Sequence, residues 1–350
     1  MMQVNHCYQG DCRDVMRQLI AAGVQVQTIV TSPPYYGLRD YAVAGQLGLE
    51  ETPQQYIDAM VEVFTVLWFL LADDGTFWLN IGDSYSSHKD CKSTPQSLAL
   101  GTAKEQAHVM SKGISRVRDS KMLKSQGLKN KDLIGIPWML AFALRDAGWY
   151  LRQDIIWHKP NPMPESVTDR CTKSHEYLFL LTKSAKYYYD NDAIKETSVT
   201  KENRPNGIER NRIYDYNSKE NTMRGKRDSF KREGRTPSHR ENRNENEYDT
   251  NERNKRSVWS INTKPFSEAH FAVMPEALVE PCILAGSKVG DIVFDPFMGS
   301  GTVGKVAQNL GRKWLGAELN PDYLKIQNKR TAQQSFVLSI SEQELNKAVA

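Results

Sequence analysis

The sequence predicts an α/β fold with a mainly parallel, doubly wound sheet. Three observations carry this reading. Short apolar runs alternate with helical stretches through most of the chain, the pattern of a parallel sheet with helices on both faces. The glycine-rich segment DPFMGSGT (295–302) joins a strand candidate to a helix candidate. A chain of 350 residues, 39% hydrophobic and 25% charged, suffices for one large core with an inserted module.

In order, VQTIV (26–30) reads as a strand that runs into T-S-P-P-Y-Y (31–36). Two prolines there fix φ near about −65° and remove two backbone donors, so the segment continues neither sheet nor helix. Its carbonyls are left facing whatever lies beyond the strand end. Ser32 adds an acceptor and Tyr35 a flat face that can stack. PQQYIDAMVEVFTVLWFLL (53–71) has helical apolar spacing, with Thr52 as N-cap and Pro53 in the first turn. GTFWLNIG (75–82) reads as a buried strand. Residues 84–131 are polar, basic and without period, a mobile loop that could serve as a lid or substrate clamp. IPWMLAFALRDAG (136–148) is a helix with Pro137 near its start and Gly148 as its stop. WYLRQDIIWHK (149–159) and HEYLFLLTK (175–183) are strands. From 191 to about 257 apolar periodicity disappears, which marks an inserted module. PEALVEPCILAG (275–286) is a helix, DIVFD (291–295) a strand, TVGKVAQNLG (302–311) a helix and KWLGAEL (313–319) a strand.

Composition narrows the function classes. The five cysteines are scattered and contain no C-x-x-C pair, and the seven histidines form no pair at ligand spacing, so neither a disulfide framework nor a metal site is expected. The longest apolar run, VFTVLWFLLA (63–72), is too short to span a bilayer, and the start MMQVNHCYQGDC has no signal-peptide pattern. A cytoplasmic location without a membrane partner is expected. Net charge is only +4, yet residues 201–256 hold 16 Lys/Arg against 11 Asp/Glu, and residues 103–131 hold 8 against 2. Basic charge concentrated in two segments suggests a polyanionic partner.

A glycine-rich strand-to-helix turn lets a ligand approach the backbone and meet helix N-terminal N–H groups. Glu318 ends the next strand candidate, 17 residues after Gly301, where a carboxylate can accept hydrogen bonds from ribose hydroxyls. These features describe a nucleoside-cofactor site. G-S-G-T-V-G (299–304) also satisfies the dinucleotide pattern G-x-G-x-x-G. Only about 45 residues follow it, so most strands must come from earlier in the chain, an unusual order for a dehydrogenase. A cofactor that donates a group rather than a hydride is favoured.

T-S-P-P-Y near the N-terminus, D-P-F-M-G-S-G-T near the C-terminus and a basic region between them resemble the DNA amino-methyltransferases of the permuted (β) order, which use S-adenosylmethionine. The resemblance covers roughly 1–195 and 258–332, and GDCRDVMRQL (10–19), LADDGTFWLNIG (71–82), HEYLFLLTK (175–183) and HFAVMPEALVE (270–280) extend it. Phe271 and Met274 depart from it, as does the length of 84–131. It implies a circularly permuted, Rossmann-like methyltransferase fold with an inserted target-recognition region. Residues 1–190 would be the catalytic half, 191–257 the recognition insert, 258–335 the cofactor-binding half and 336–350 a tail.

The implied reaction is methyl transfer from S-adenosylmethionine, leaving S-adenosylhomocysteine, to the exocyclic amine of a base in double-stranded DNA, N4 of cytosine or N6 of adenine. The base must be flipped out of the helix. Its amine is a poor nucleophile because the lone pair is delocalised into the ring. Two acceptors on the amino hydrogens favour tetrahedral geometry and stabilise the charge that develops on nitrogen. Ser32 Oγ and the Pro33 carbonyl are the candidates, Pro34 keeps that carbonyl aimed, and Tyr35 stacks on the base; Tyr36 lines the pocket or packs. No metal and no cysteine adduct are needed. The resemblance assigns Asp295, Pro296, Phe297, Gly299, Gly301 and Thr302 to the methionine side of the cofactor and Glu318 to the ribose. Asp11 would contact the adenine, unless GDCRD is simply a surface turn. His270 and Phe271 would flank the methionine carboxylate. Arg224, Lys226, Arg227, Lys231 and Arg232 are candidate DNA contacts, and a second copy of the chain and a cognate restriction enzyme are candidate partners. Two other classes compete: the same chemistry on RNA or a protein amide, and a non-catalytic nucleic-acid-binding protein.

Overall fold

The computed structural model describes residues 3–41, 43–86, 127–197, 252–263 and 273–332. The chain divides into two units, Met1–Ala193 with Arg256–Ala350, and Ile194–Lys255.

In the larger unit the elements are β1 (His6–Gln9), α1 (Cys12–Ala21), β2 (Val26–Thr31), α2 (Pro53–Leu70), β3 (Leu71–Ile81), α3 (Ile136–Asp146), β4 (Tyr150–His158) and β5 (His175–Thr182). In the smaller unit, β6 (Glu196–Thr197) pairs antiparallel with β7 (Glu252–Arg253), and an Arg253–Glu196 ion pair of 2.9 Å crosses the pair. The larger unit resumes with β8 (Val258–Ser260), α4 (Glu276–Gly286), β9 (Ile292–Asp295), α5 (Thr302–Asn309), β10 (Lys313–Glu318) and a helical segment over 321–332.

Among the described residues the larger unit holds one eight-stranded sheet in the order β1-β10-β9-β2-β3-β5-β4-β8. All its pairings are parallel except those of β5, which runs antiparallel to both β3 and β4. The mixed, mainly parallel sheet agrees with the expected α/β class. No described helix is long and apolar enough to cross a membrane.

Local chemistry accounts for the element bounds. At α2, Thr52 Oγ1 accepts from Gln55 N while Gln55 Oε1 accepts from Thr52 N, a capping box that satisfies two otherwise unpaired donors. Strand β2 alternates its faces. Ile29, with Phe77 and Leu79 of β3, joins the core beneath α1, α2 and α3. Thr28 and Thr76 point the other way, toward α4, and share a 2.7 Å hydroxyl hydrogen bond. A Cβ on Gly286 would lie 2.3 Å from Thr76 Oγ1 and 2.5 Å from Thr28 Oγ1, so only glycine lets α4 sit this close to the sheet.

Three local expectations change. Residues 6–21 form a strand and a helix, so the GDCRD segment is a strand-to-helix connection rather than a loose surface turn. β3 starts at Leu71 instead of Gly75, because a register shift between Val26/Leu71 and Thr28/Thr76 absorbs the turn-like ADDG inside the strand. Val258–Ser260 adds an edge strand beside β4. The expected loop 84–131 lies outside the described residues over 87–126, as do 198–251 of the insert and the tail beyond 332.

Candidate functional site

The chain leaves β9 toward β10 on one side of the sheet, whereas β2 leads to β3 on the other. The β9–β2 boundary is therefore a topological switch point, and the crevice beyond the strand ends there is where open α/β sheets bind ligands. Both sequence motifs end at this boundary. Thr31, the last residue of β2, donates to Asp295 Oδ1 at the end of β9 over 2.6 Å. A side-chain bond between residues 264 apart thus joins T-S-P-P-Y to D-P-F-M-G-S-G-T.

On the β9–β10 side, Gly299 and Gly301 have φ of 50° and 81°, and Gly301 caps α5 so that Thr302 is its first residue. Asp295 Oδ1 also accepts from Phe297 N at 2.9 Å. Glu318 accepts from Gly299 N and Asn320 N, both at 2.8 Å. Burial pushes the Asp295 carboxyl up to about 7, opposed by its bonds to Thr31 and Phe297 and reinforced by the charge of Glu318. Burial likewise raises Glu318. Neither carboxylate has an ion-pair partner among the described residues, so the pair offers uncompensated negative charge to a cation. The 321–332 segment braces the turn: Gln327 donates to Gly299 O at 2.6 Å, and Arg330 donates to Ser300 O, Ser300 Oγ and Thr302 Oγ1 at 3.0, 2.8 and 3.1 Å. Sequence reasoning missed Gln327 and Arg330, since nothing in their local pattern separates them from an ordinary helix surface.

Beyond β2 the prolines turn the chain outward. Pro34 O accepts from Tyr56 at 2.8 Å, and Tyr36 is buried, donates to Glu51 O at 3.2 Å and packs on Tyr56 with ring centroids 5.7 Å apart. Tyr36 therefore packs. No donor among the described residues reaches the Pro33 carbonyl. The Tyr35 hydroxyl lies inward, donating to Glu176 Oε2 at 2.7 Å and accepting from Asn80 Nδ2 at 2.9 Å and from Ser32 Oγ at 3.3 Å. Gly82 makes room for this ring, since a Cβ there would come within 2.8 Å of it. Asn80 Nδ2 also donates to Glu176 Oε2 at 3.1 Å, and Lys159 at the end of β4 pairs with Glu176 Oε1. Burial and the Glu176 charge hold the Tyr35 phenol well above its usual range, so it stays neutral. Asn80, Lys159 and Glu176 went unassigned in the sequence; the only signal was their position at the ends of strand candidates.

Asp11 is the N-cap of α1. It accepts from Arg13 N at 2.8 Å and pairs with the Arg13 guanidinium at 2.7 Å, which holds it below the usual carboxylate range. His270 and Phe271 lie outside the described residues, as do Arg224, Lys226, Arg227, Lys231 and Arg232. The described histidines stand at strand ends: His158 Nδ1 is 3.0 Å from Ser260 Oγ, and His175 meets Tyr177 edge-on.

Residues 26–329 match the family model described as DNA methylase. The chain is 43% identical over 335 residues to the type II methyltransferase M.Cfr9I of Citrobacter freundii, covering 95% of this chain and 90% of that one. It is 40% identical over 321 residues to the type II methyltransferase M.SmaI of Serratia marcescens, covering 92% and 88%. Among solved structures it superposes on the PvuII DNA methyltransferase (cytosine-N4-specific) with a TM-score of 0.55 and 16% identity, covering 94% of this chain and 87% of that one, a likeness of fold.

Proposed function

This chain belongs to the DNA methylase family of S-adenosylmethionine-dependent amino-methyltransferases, and on that premise we propose that it methylates the exocyclic amine of a base flipped out of double-stranded DNA, N4 of cytosine or N6 of adenine. One observation carries the reading. The Thr31–Asp295 hydrogen bond joins the residue before S-P-P-Y to a carboxylate without an ion-pair partner among the described residues, which supports a reading in which an amine at Ser32 adjoins a cation at Asp295.

The residues suit the cofactor. Asp295 and Glu318 are partly or wholly buried carboxylates with no cationic partner among the described residues, and the cofactor carries a sulfonium and an ammonium. Glu318 has lone pairs left after its two amide bonds, enough to take ribose hydroxyls. Gly299 and Gly301 keep the turn open. On this reading Pro296, Phe297 and Thr302 line its methionine side. When bound, the cofactor supplies an electrophilic methyl group. Ser32 Oγ and the Pro33 carbonyl accept the two amino hydrogens, drawing the nitrogen toward tetrahedral geometry and stabilising its developing charge. Tyr35 offers its ring face to the base while its hydroxyl anchors it inward. Pre-orientation then supplies much of the rate. The basic segment around Arg224–Arg232 contacts phosphates, and the setting is the cytoplasm.

Transfer of labelled methyl from S-adenosylmethionine to duplex DNA, with mass analysis of the nucleosides, is the test. Label on N4-methylcytosine or N6-methyladenine is expected; label on RNA or protein alone, on cytosine C5, or nowhere refutes the proposal.

A further inference from the structure

Methylation of an amine leaves the nitrogen with one proton too many, and the two acceptors assigned above are poor final resting places for it. A serine hydroxyl and an amide carbonyl are both weak bases. The carboxylates on the cofactor side, Asp295 and Glu318, already accept from Thr31, Phe297, Gly299 and Asn320. On the other flank of Ser32 stands a group with no role so far. Glu176, at the start of β5, is paired with Lys159 and reaches Ser32 through one intervening hydroxyl.

We propose that Ser32, Tyr35 and Glu176 form a proton relay that takes the excess proton from the methylated amine to the Glu176 carboxylate. The inference rests on the amino-methyltransferase reading above. As the new N–C bond forms, the S–C bond breaks and its electron pair returns to sulfur. The nitrogen then gives a proton to Ser32 Oγ, Ser32 passes its own proton to Tyr35 Oη, and Tyr35 passes its own to Glu176 Oε2. The Tyr35–Glu176 contact is 2.7 Å; the Ser32–Tyr35 contact, 3.3 Å, is long, as relay contacts commonly are before substrate binds. Charge balances, because one carboxylate becomes one carboxylic acid beside the Lys159 ammonium. The Glu176 and Lys159 side chains are 16% and 18% exposed, enough for water to remove the proton afterwards.

Asn80 fixes the direction of the relay. Its Nδ2 can only donate, and its acceptors are Tyr35 Oη, Glu176 Oε2 and, at 3.4 Å, Ser32 Oγ. With Asn80 and Ser32 both donating to Tyr35, the phenolic hydrogen has one acceptor left, Glu176. Turning the amide over would set Asn80 Oδ1 against a carboxylate oxygen, which the charge on Glu176 forbids. Asn80 Oδ1 itself is buried and accepts no hydrogen bond, the cost of keeping the donor on this side. The charged and titratable groups facing Glu176 are Lys159 from β4, Lys173 and His175 from the segment leading into β5, and Tyr35 from the S-P-P-Y turn. Asp83 faces Lys173, and His158 faces His175.

The test compares the full-length wild type with Glu176→Gln, Tyr35→Phe and the double variant. Single-turnover methylation of a duplex is measured from about pH 5.5 to 9, beside equilibrium binding of S-adenosylmethionine and of the duplex. Phenylalanine keeps the stacking face and glutamine keeps the shape. Each single variant should react about 100-fold more slowly, in the range of general-base contributions, and the double variant no more slowly than either. Both affinities should stay within about threefold of wild type. The pH profile of the single-turnover rate should change shape in Glu176→Gln. Rates within about threefold of wild type, losses that multiply in the double variant, a pH profile unchanged in Glu176→Gln, or affinities that collapse would each overturn the relay. A wild type that labels no DNA amine sinks the parent reading instead, and that result is seen before any variant is compared.

Discussion

Asp295 should weaken the unliganded fold at alkaline pH, and Asp295→Asn should therefore stabilise it. Asp295 is 3% exposed and the folded-state value of its carboxyl lies near 7, against an ordinary value of 3.8. The native state therefore holds this proton more tightly than the unfolded chain does. Below about pH 4 the group is protonated in both states and costs nothing. As pH rises the unfolded chain ionises first, and native stability falls until the folded group also ionises near 7; above that the penalty is constant. About three pKa units at about 1.4 kcal/mol each give an upper value of about 4 kcal/mol. Asparagine keeps an acceptor for Thr31 and Phe297 but carries no charge, so its advantage should grow from about zero below pH 4 to a few kcal/mol above pH 8. Urea titrations of both proteins at pH 4, 6 and 8.5 measure it. A variant less stable than wild type at pH 8.5, or a difference that does not change with pH, would refute the picture of an uncompensated buried carboxylate. The same substitution should weaken S-adenosylmethionine binding, because it removes half of the negative charge offered to the cation.

Other outcomes follow from the same geometry. If Ser32 accepts from the amine as proposed, Ser32→Ala should lower single-turnover methylation about 100-fold or more while cofactor affinity, by equilibrium binding, stays within about threefold, since the Gly299–Gly301 turn is untouched. Gly286→Ala should cost about 1–3 kcal/mol in denaturant titration, because the added methyl would fall 2.3 Å from Thr76 Oγ1 and 2.5 Å from Thr28 Oγ1 between two buried elements. Neutralising Arg224, Lys226, Arg227, Lys231 and Arg232 together should flatten the slope of log affinity for duplex DNA against log salt; an unchanged slope would remove that segment from the interface.

Much of the molecule was legible before any coordinates, and the reason is local. Helix α2 announces itself through Thr52 and Pro53, whose capping chemistry is local to the start of the helix. Strands β2, β9 and β10 appear as short apolar runs, and Gly299 and Gly301 mark a turn whose positive φ suits glycine. These are short-range signals. Where they were weak the reading failed: β1 has four residues, and the start of β3 is hidden because the sheet absorbs ADDG as a bulge, which only pairing with β2 reveals.

The sequence by itself determined the α/β class, the order of the two motifs and the residue types at the strand ends, because hydrophobic period, proline and glycine act over a few residues. Tertiary structure alone decided which residues meet. Thr31 finds Asp295 across 264 positions, Tyr35 finds Glu176 across 141, and Gln327 and Arg330 return from the last described helix to brace the Gly299–Gly301 turn. Strand order and register set those meetings, and they depend on how the whole sheet closes over its core, which no local pattern in the chain encodes.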